Sequence, residues 1–126
     1  MGQQTHILIV DDEKDTRLEL KSFFEAKGFT CDACCDGEEA IRKFKGPYDL
    51  ALIDYHLPGM NGFDVFAGLR AKQQDLAAVM ITAFGSFETW GKSVEKGFVD
   101  IIPKPFDFED LFSRIPRWVQ AARSSR

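Results

Sequence analysis

Five short apolar runs alternate with five helix-period segments along this chain, and four of the runs end in a polar motif. The runs are His6 to Val10, Thr30 to Cys34, Asp49 to Asp54, Ala77 to Thr82 and Val99 to Pro103. Runs separated by helical segments read as βα units around a parallel sheet, because each helix carries the chain back before the next strand begins. Parallel strands all end on the same side, so polar residues that follow them converge on one edge.

The intervening segments carry helix signals. The first, about Lys14 to Lys27, repeats apolar residues at Leu20, Phe23 and Phe24 and stops at Gly28. Asp36 is a predicted N-cap for the second, with Glu39 three residues on completing a capping-box pattern. Ala40, Ile41 and Phe44 form its apolar side. The loop Leu57 to Gly62 turns the chain with a proline and two glycines, before a third helix over about Phe63 to Lys72 that packs Phe63, Phe66 and Leu69. Ser86 opens a fourth, whose packing face is predicted to be Phe87, Trp90 and Val94, ending near Gly97. Asp107 caps a fifth after Pro105, and Phe108, Leu111, Phe112, Ile115 and Val119 keep its register. Pro116 predicts a kink, or a break and restart, since proline removes a helix hydrogen bond and clashes with the preceding turn.

This pattern fits an α/β fold, a flavodoxin-like doubly wound parallel sheet of five strands ordered 2-1-3-4-5 with five helices. At 126 residues it reads as one domain, 1–126, with its core over about 6–122. A composition 44% hydrophobic and 29% charged is that of a globular protein, not a disordered one. The net charge of −4 argues against a nucleic-acid surface. The N-terminus lacks a basic, apolar leader, and no run approaches the roughly 20 apolar residues of a membrane helix. A cytoplasmic protein with no membrane contact is expected. Cys31, Cys34 and Cys35 match no metal or redox spacing and read as small apolar packing residues.

The strand-end motifs carry the chemistry. Asp11-Asp12 follows the first strand, Asp54 ends the third, Thr82 ends the fourth, and Lys104-Pro105 follows the fifth. Each has an ordinary reading when taken singly: an Asp pair can cap a helix, and a strand-end Thr needs no role. Asp54 is harder to dismiss, because a carboxylate closing an apolar strand is costly without a partner. The bond before Pro105 invites a cis peptide that aims Lys104 back into the crevice. Together they place three carboxylates, a hydroxyl and an ammonium where open α/β sheets bind ligands, a setting for Mg²⁺ and a phosphoryl group.

Asp11-Asp12, Asp54 with Leu57-Pro58 and Gly62, Thr82-Ala83 and Lys104-Pro105-Phe106 resemble the receiver domain of two-component response regulators, over about Ile7 to Val119. The stretches Ile81 to Gly85 and Ile102 to Asp107 are similar to receivers of the NtrC-like group of transcriptional activators. The resemblance implies that Asp54 accepts a phosphoryl group from a sensor histidine kinase or phosphotransfer protein. It implies Mg²⁺ held by Asp11, Asp12, Asp54 and the backbone carbonyl of His56, with Thr82 and Lys104 on the phosphoryl oxygens. Such a protein is not an enzyme beyond phosphorylation and dephosphorylation of its own aspartate.

The resemblance also implies a switch in which Thr82 and Ala83 move toward the phosphate and an inward-turning aromatic residue alters the helix 4–strand 5–helix 5 face. That position holds Ile101, so Ile101 is expected to repack, or Phe84 or Phe98 to take over. The same face is where a homodimer would form, with Trp118 and Phe112 as candidate members. His56 and Phe84 flank the path of attacking water and predict an aspartyl phosphate lasting minutes or more. Two rival readings are a receiver-like module that works without phosphorylation and a Mg²⁺-dependent phosphohydrolase. The second lacks both an acid two residues after Asp54 and a cap insertion. A flavin carrier shares the fold but needs a phosphate loop after the first strand, which is absent here.

Overall fold

The apolar runs pair as five parallel strands: β1 (His6–Val10), β2 (Thr30–Cys34), β3 (Leu50–Asp54), β4 (Ala77–Thr82) and β5 (Asp100–Pro103). Their order is β2-β1-β3-β4-β5, as the alternation predicted. The computed structural model describes residues 4–83 and 87–124, and the side chains of 87, 88 and 122–124 are also outside the description. Phe84, Ser86 and Phe87, all named above, lie there. Helices α1 (Lys14–Ala26), α2 (Gly37–Arg42), α3 (Gly62–Lys72), α4 (Phe87–Lys96) and α5 (Phe108–Ser124) fill the gaps.

Alternate strand residues point to opposite faces, so β1 sends Leu8 and Val10 to one core and Ile7 and Ile9 to the other. On the first face Ala40 of α2 and Val65, Phe66 and Leu69 of α3 cover the sheet. On the second, Leu20 and Phe24 of α1 meet Leu111, Ile115 and Trp118 of α5. β3 and β4 are buried on both sides, and their runs are accordingly apolar almost throughout. Close approach of α2 to α3 depends on missing side chains: a Cβ at Gly37 would run into Val65, and one at Gly68 into Ile41.

Caps form largely where the sequence puts them. Asp36 Oδ1 accepts the Glu39 N–H at 2.8 Å, while the Glu39 carboxylate reaches one residue further back, to the Cys35 N–H. Asp107 Oδ1 accepts the N–H groups of Glu109 and Asp110. α3 begins at Gly62, one residue earlier than expected, because Asn61 and Asp64 form a reciprocal capping box. Of the two loop glycines only Gly59 takes a positive φ, +80°. Gly62 is required for space, since a Cβ there would lie 2.8 Å from Met80 Sδ and 3.1 Å from Tyr55 Cα.

Two expectations fail, and a third is narrowed: of the outcomes expected at Pro116, the break and restart does not occur, since α5 runs through it, with Pro116 on the exposed side. Trp118 is 3% exposed and donates its indole N–H to Asp100 Oδ2 at 3.0 Å, which removes it from any surface. On α4 the apolar stripe faces outward: Trp90 is 51% and Val94 70% exposed. The helix packs instead through Ser93, buried with its hydroxyl on the Thr89 carbonyl. Apolar periodicity located the helix but named the wrong side of it.

Candidate phosphoryl-transfer site

Strand register sets the four motifs side by side. Val10 pairs with Ile53, Asp54 with Ile81 and Thr82 with Pro103. The ladder continues one residue past the strands, with Asp11 N–H bonded to the Cys34 carbonyl, Tyr55 N–H to Ile81 and Lys104 N–H to Thr82. Those bonds fix the backbone at the residues that turn into the crevice.

The carboxylates gather as the sequence implied. One oxygen from each of Asp11, Asp12 and Asp54 lies within 4.8 Å of the others. Asp11 and Asp54 are buried and Asp12 is exposed. Asp54 Oδ1 accepts the His56 N–H at 3.0 Å, and its Oδ2 accepts from Lys104 Nζ at 2.8 Å. Asp11 Oδ1 accepts the Glu13 N–H. Its buried Oδ2 accepts no hydrogen bond from the described residues, although Lys104 Nζ stands 3.4 Å away, close enough for charge attraction. Burial pushes the Asp11 carboxyl above the usual aspartate value; the Glu13 N–H and Lys104 oppose that rise and the Asp54 charge adds to it.

Lys104 is the hub. The bond to Pro105 is cis, as expected, and the ammonium meets Asp54, Asp11 and Glu13, the last at 2.9 Å. Burial alone would lower its proton affinity, but hydrogen bonds to Asp54 and Glu13 and the nearby charges outweigh that and hold it above the ordinary lysine range. Glu13 was missed in the sequence. It occupies the N-cap position of α1 yet makes no side-chain cap bond, a misfit for a position that favours Ser, Thr, Asp or Asn. That misfit was the available signal.

Thr82 is fully buried at the end of β4, and Ala83 after it is exposed. Ile101 pairs with Met80 inside the sheet and packs in the same core as Phe98. His56 is exposed, its ring edge-on to Tyr55. Phe84 lies outside the described residues. Cys31 and Cys34 are buried free thiols, pushed up by burial to about 12 and about 11, which keeps them protonated at neutral pH. No described helix is long and apolar enough to cross a membrane.

Arranged this way, the residues can hold a hard cation on carboxylate oxygens and bring one fixed ammonium to a carboxylate nucleophile. Comparison with known proteins points the same way. The family model for the response regulator receiver domain matches residues 7–116. The two-component response regulator PhoP of Pseudomonas aeruginosa is 36% identical over 110 residues, covering 86% of this chain and 49% of that protein. The transcriptional regulatory protein CpxR of Escherichia coli is 37% identical over 109 residues, covering 86% and 47%. The chain spans about half the length of the curated relatives it matches. These names do not extend the resemblance to the NtrC-like group.

Among solved structures, a CheY-like receiver domain protein from Methanospirillum hungatei superposes with a TM-score of 0.89 at 25% identity, covering 98% of this chain and 100% of that one. Response regulator protein TrrA of Thermotoga maritima, solved in complex with Mg²⁺-BeF, gives 0.78 at 30% identity, covering 91% and 99%.

Proposed function

We propose that this chain, which belongs to the response regulator receiver domain family, takes a phosphoryl group onto Asp54 from a sensor histidine kinase or a phosphotransfer protein. The observation that carries this reading is the buried Asp54 carboxylate held 2.8 Å from the Lys104 ammonium, in a ring of further carboxylates. An Asp54 oxygen attacks the phosphorus. The P–N bond of the phosphohistidine donor breaks, and its electron pair leaves with the imidazole. Lys104 neutralises one phosphoryl oxygen and the Thr82 hydroxyl bonds another, which is the positioning and charge stabilisation phosphoryl transfer requires.

The donor set fits a divalent cation. Asp11, Asp12 and Asp54, with the His56 carbonyl, would hold Mg²⁺, and the buried Asp11 Oδ2, which accepts no hydrogen bond from the described residues, is an oxygen such an ion satisfies. Bound there, Mg²⁺ offsets the repulsion among the carboxylates and neutralises charge on the phosphoryl group. Beyond this reaction on its own aspartate the domain, read as residues 1–126, catalyses nothing, and it works in the cytoplasm.

Thr82 and Ala83 report the modification by moving toward the phosphate, with Ile101 and Phe98 repacking beneath. The output surface is the α4–β5–α5 face, and a second copy of the chain is its occupant. The outward Trp90 and Val94 support that choice. Incubation with acetyl phosphate and Mg²⁺, read by intact mass, tests the chemistry. One phosphate on wild type and none on Asp54→Ala is the expected result. No phosphate on wild type, or equal labelling of both, overturns it.

A further inference from the structure

Lys104 is shared among more acids than the transfer reaction uses. Its ammonium donates to Asp54 Oδ2 at 2.8 Å and Glu13 Oε1 at 2.9 Å and stands 3.4 Å from Asp11 Oδ2. These partners differ in what they lose if the ammonium turns away. The Asp11 and Asp54 side chains are 2% and 6% exposed, so either would be stranded as a buried charge. The Glu13 side chain is 60% exposed and returns to water at little cost. Glu13 and Lys104 also line one side of an open groove of about 510 Å³, with Thr16 and Glu19 of α1, Ala83 and Phe106.

We propose that Glu13 is a displaceable placeholder on Lys104, a positioning residue that restrains phosphorylation until a phosphoryl oxygen takes over its contact. The inference rests on Asp54 being the acceptor. Glu13 occupies one of the ammonium's donors and sets a negative charge beside the path of an anionic donor. When the group arrives on Asp54, Glu13 is the partner that yields, because it alone of the three can be rehydrated. Both effects oppose a small anionic donor, so removing the charge accelerates the reaction.

The test uses Glu13→Gln, which keeps length and loses charge, and Glu13→Asp, which keeps charge but is too short to reach Lys104. With phosphoramidate and Mg²⁺, the Asp54 oxygen attacks phosphorus, the P–N bond breaks and ammonia leaves. The rate constant is expected to rise about two- to five-fold in Glu13→Gln, the span of one exposed ion pair, and to fall between wild type and that value in Glu13→Asp. The advantage of Glu13→Gln should shrink as salt is added. A second readout needs no metal: inorganic phosphate titrated in EDTA, followed through the Lys104 and Ala83 amide resonances, should bind more tightly to Glu13→Gln. Equal phosphate affinity in wild type and Glu13→Gln, or a slower Glu13→Gln, overturns the inference. If wild type takes no phosphate onto Asp54, the acceptor reading fails, while the phosphate titration still reads the Glu13 contact by itself.

Discussion

The sheet carries a polar cluster at each edge, and the two are built on opposite terms. At the N-terminal edge, Asp49 accepts the His6 N–H, and the Asp49 N–H returns to the His6 carbonyl. Gln73 exchanges two hydrogen bonds with the Tyr48 backbone, at 2.8 and 2.7 Å. Asp32 accepts the Tyr48 hydroxyl at 2.7 Å, with His6 Nε2 3.3 Å away. Each acid there faces donors. At the C-terminal edge three acids crowd one ammonium, and a buried Asp11 oxygen accepts no hydrogen bond from the described residues. A cluster that only closes the fold satisfies its polar groups; one that awaits a cation and a phosphoryl group holds charge in reserve.

The strongest way to break that contrast is to remove the hub. Lys104→Met leaves Asp11 and Asp54 as uncompensated buried carboxylates, and the cost is expected to be about 3 kcal/mol in metal-free buffer. Urea unfolding in EDTA measures it. Mg²⁺ should restore more stability to Lys104→Met than to wild type, because a more negative site binds the cation more tightly. A variant as stable as wild type in EDTA would show that the charges at this edge are not in tension.

Removing one of the crowded acids should act in the other direction. Asp11→Asn is expected to stabilise the metal-free fold by about 1 kcal/mol, since it deletes a buried charge that lacks a full complement of donors. The same variant should lose most of the stabilisation that Mg²⁺ gives wild type. The gain depends on pH in a definite sense. The Asp11 carboxyl is raised by burial, so its proton is held more tightly in the folded chain than in the unfolded one. Its contribution to stability is therefore fully present below the ordinary aspartate value and is lost as pH rises through the raised one. Thermal melts in EDTA should show the advantage of Asp11→Asn at neutral pH and its disappearance on acidification. An advantage that grew on acidification would put the unsatisfied charge elsewhere.

What could be read from the chain beforehand follows from the range over which each feature is encoded. Strand order and the meeting of Asp11, Asp54, Thr82 and Lys104 were legible, because parallel pairing sends every strand end to one edge whatever the side chains do. The caps at Asp36 and Asp107 were legible because they are local. The Glu13–Lys104 contact joins residues 91 apart, and no periodicity encodes it. Trp118 was assigned to a surface although it stands seven residues after Leu111 and three after Ile115, a helical spacing that puts it on the buried side with them. α4 failed for a different reason. Ser93 is buried while Trp90 and Val94 face outward, and a hydrophobic pattern alone cannot report that inversion.

The smallest expected effect lies at the well-satisfied edge. Tyr48→Phe removes only the hydroxyl that donates to Asp32, leaving the ring against His6 and Phe44. Burial, and then the Asp32 contact, push the Tyr48 phenol above its usual range, so the hydroxyl stays protonated and donating at neutral pH. Asp32 keeps water access, its side chain being 37% exposed, and still has His6 beside it. The loss should therefore be about 0.5 kcal/mol, the low end of the net worth of one hydrogen bond, because water can partly replace it. Mg²⁺ binding and labelling of Asp54 should be unchanged, because the two clusters lie at opposite ends of the strands. Urea unfolding and the acetyl phosphate assay on the same preparation give both numbers. A Tyr48→Phe variant that kept full stability but lost labelling would mean that the edges are coupled through the sheet, and that the N-terminal cluster does more than close the fold.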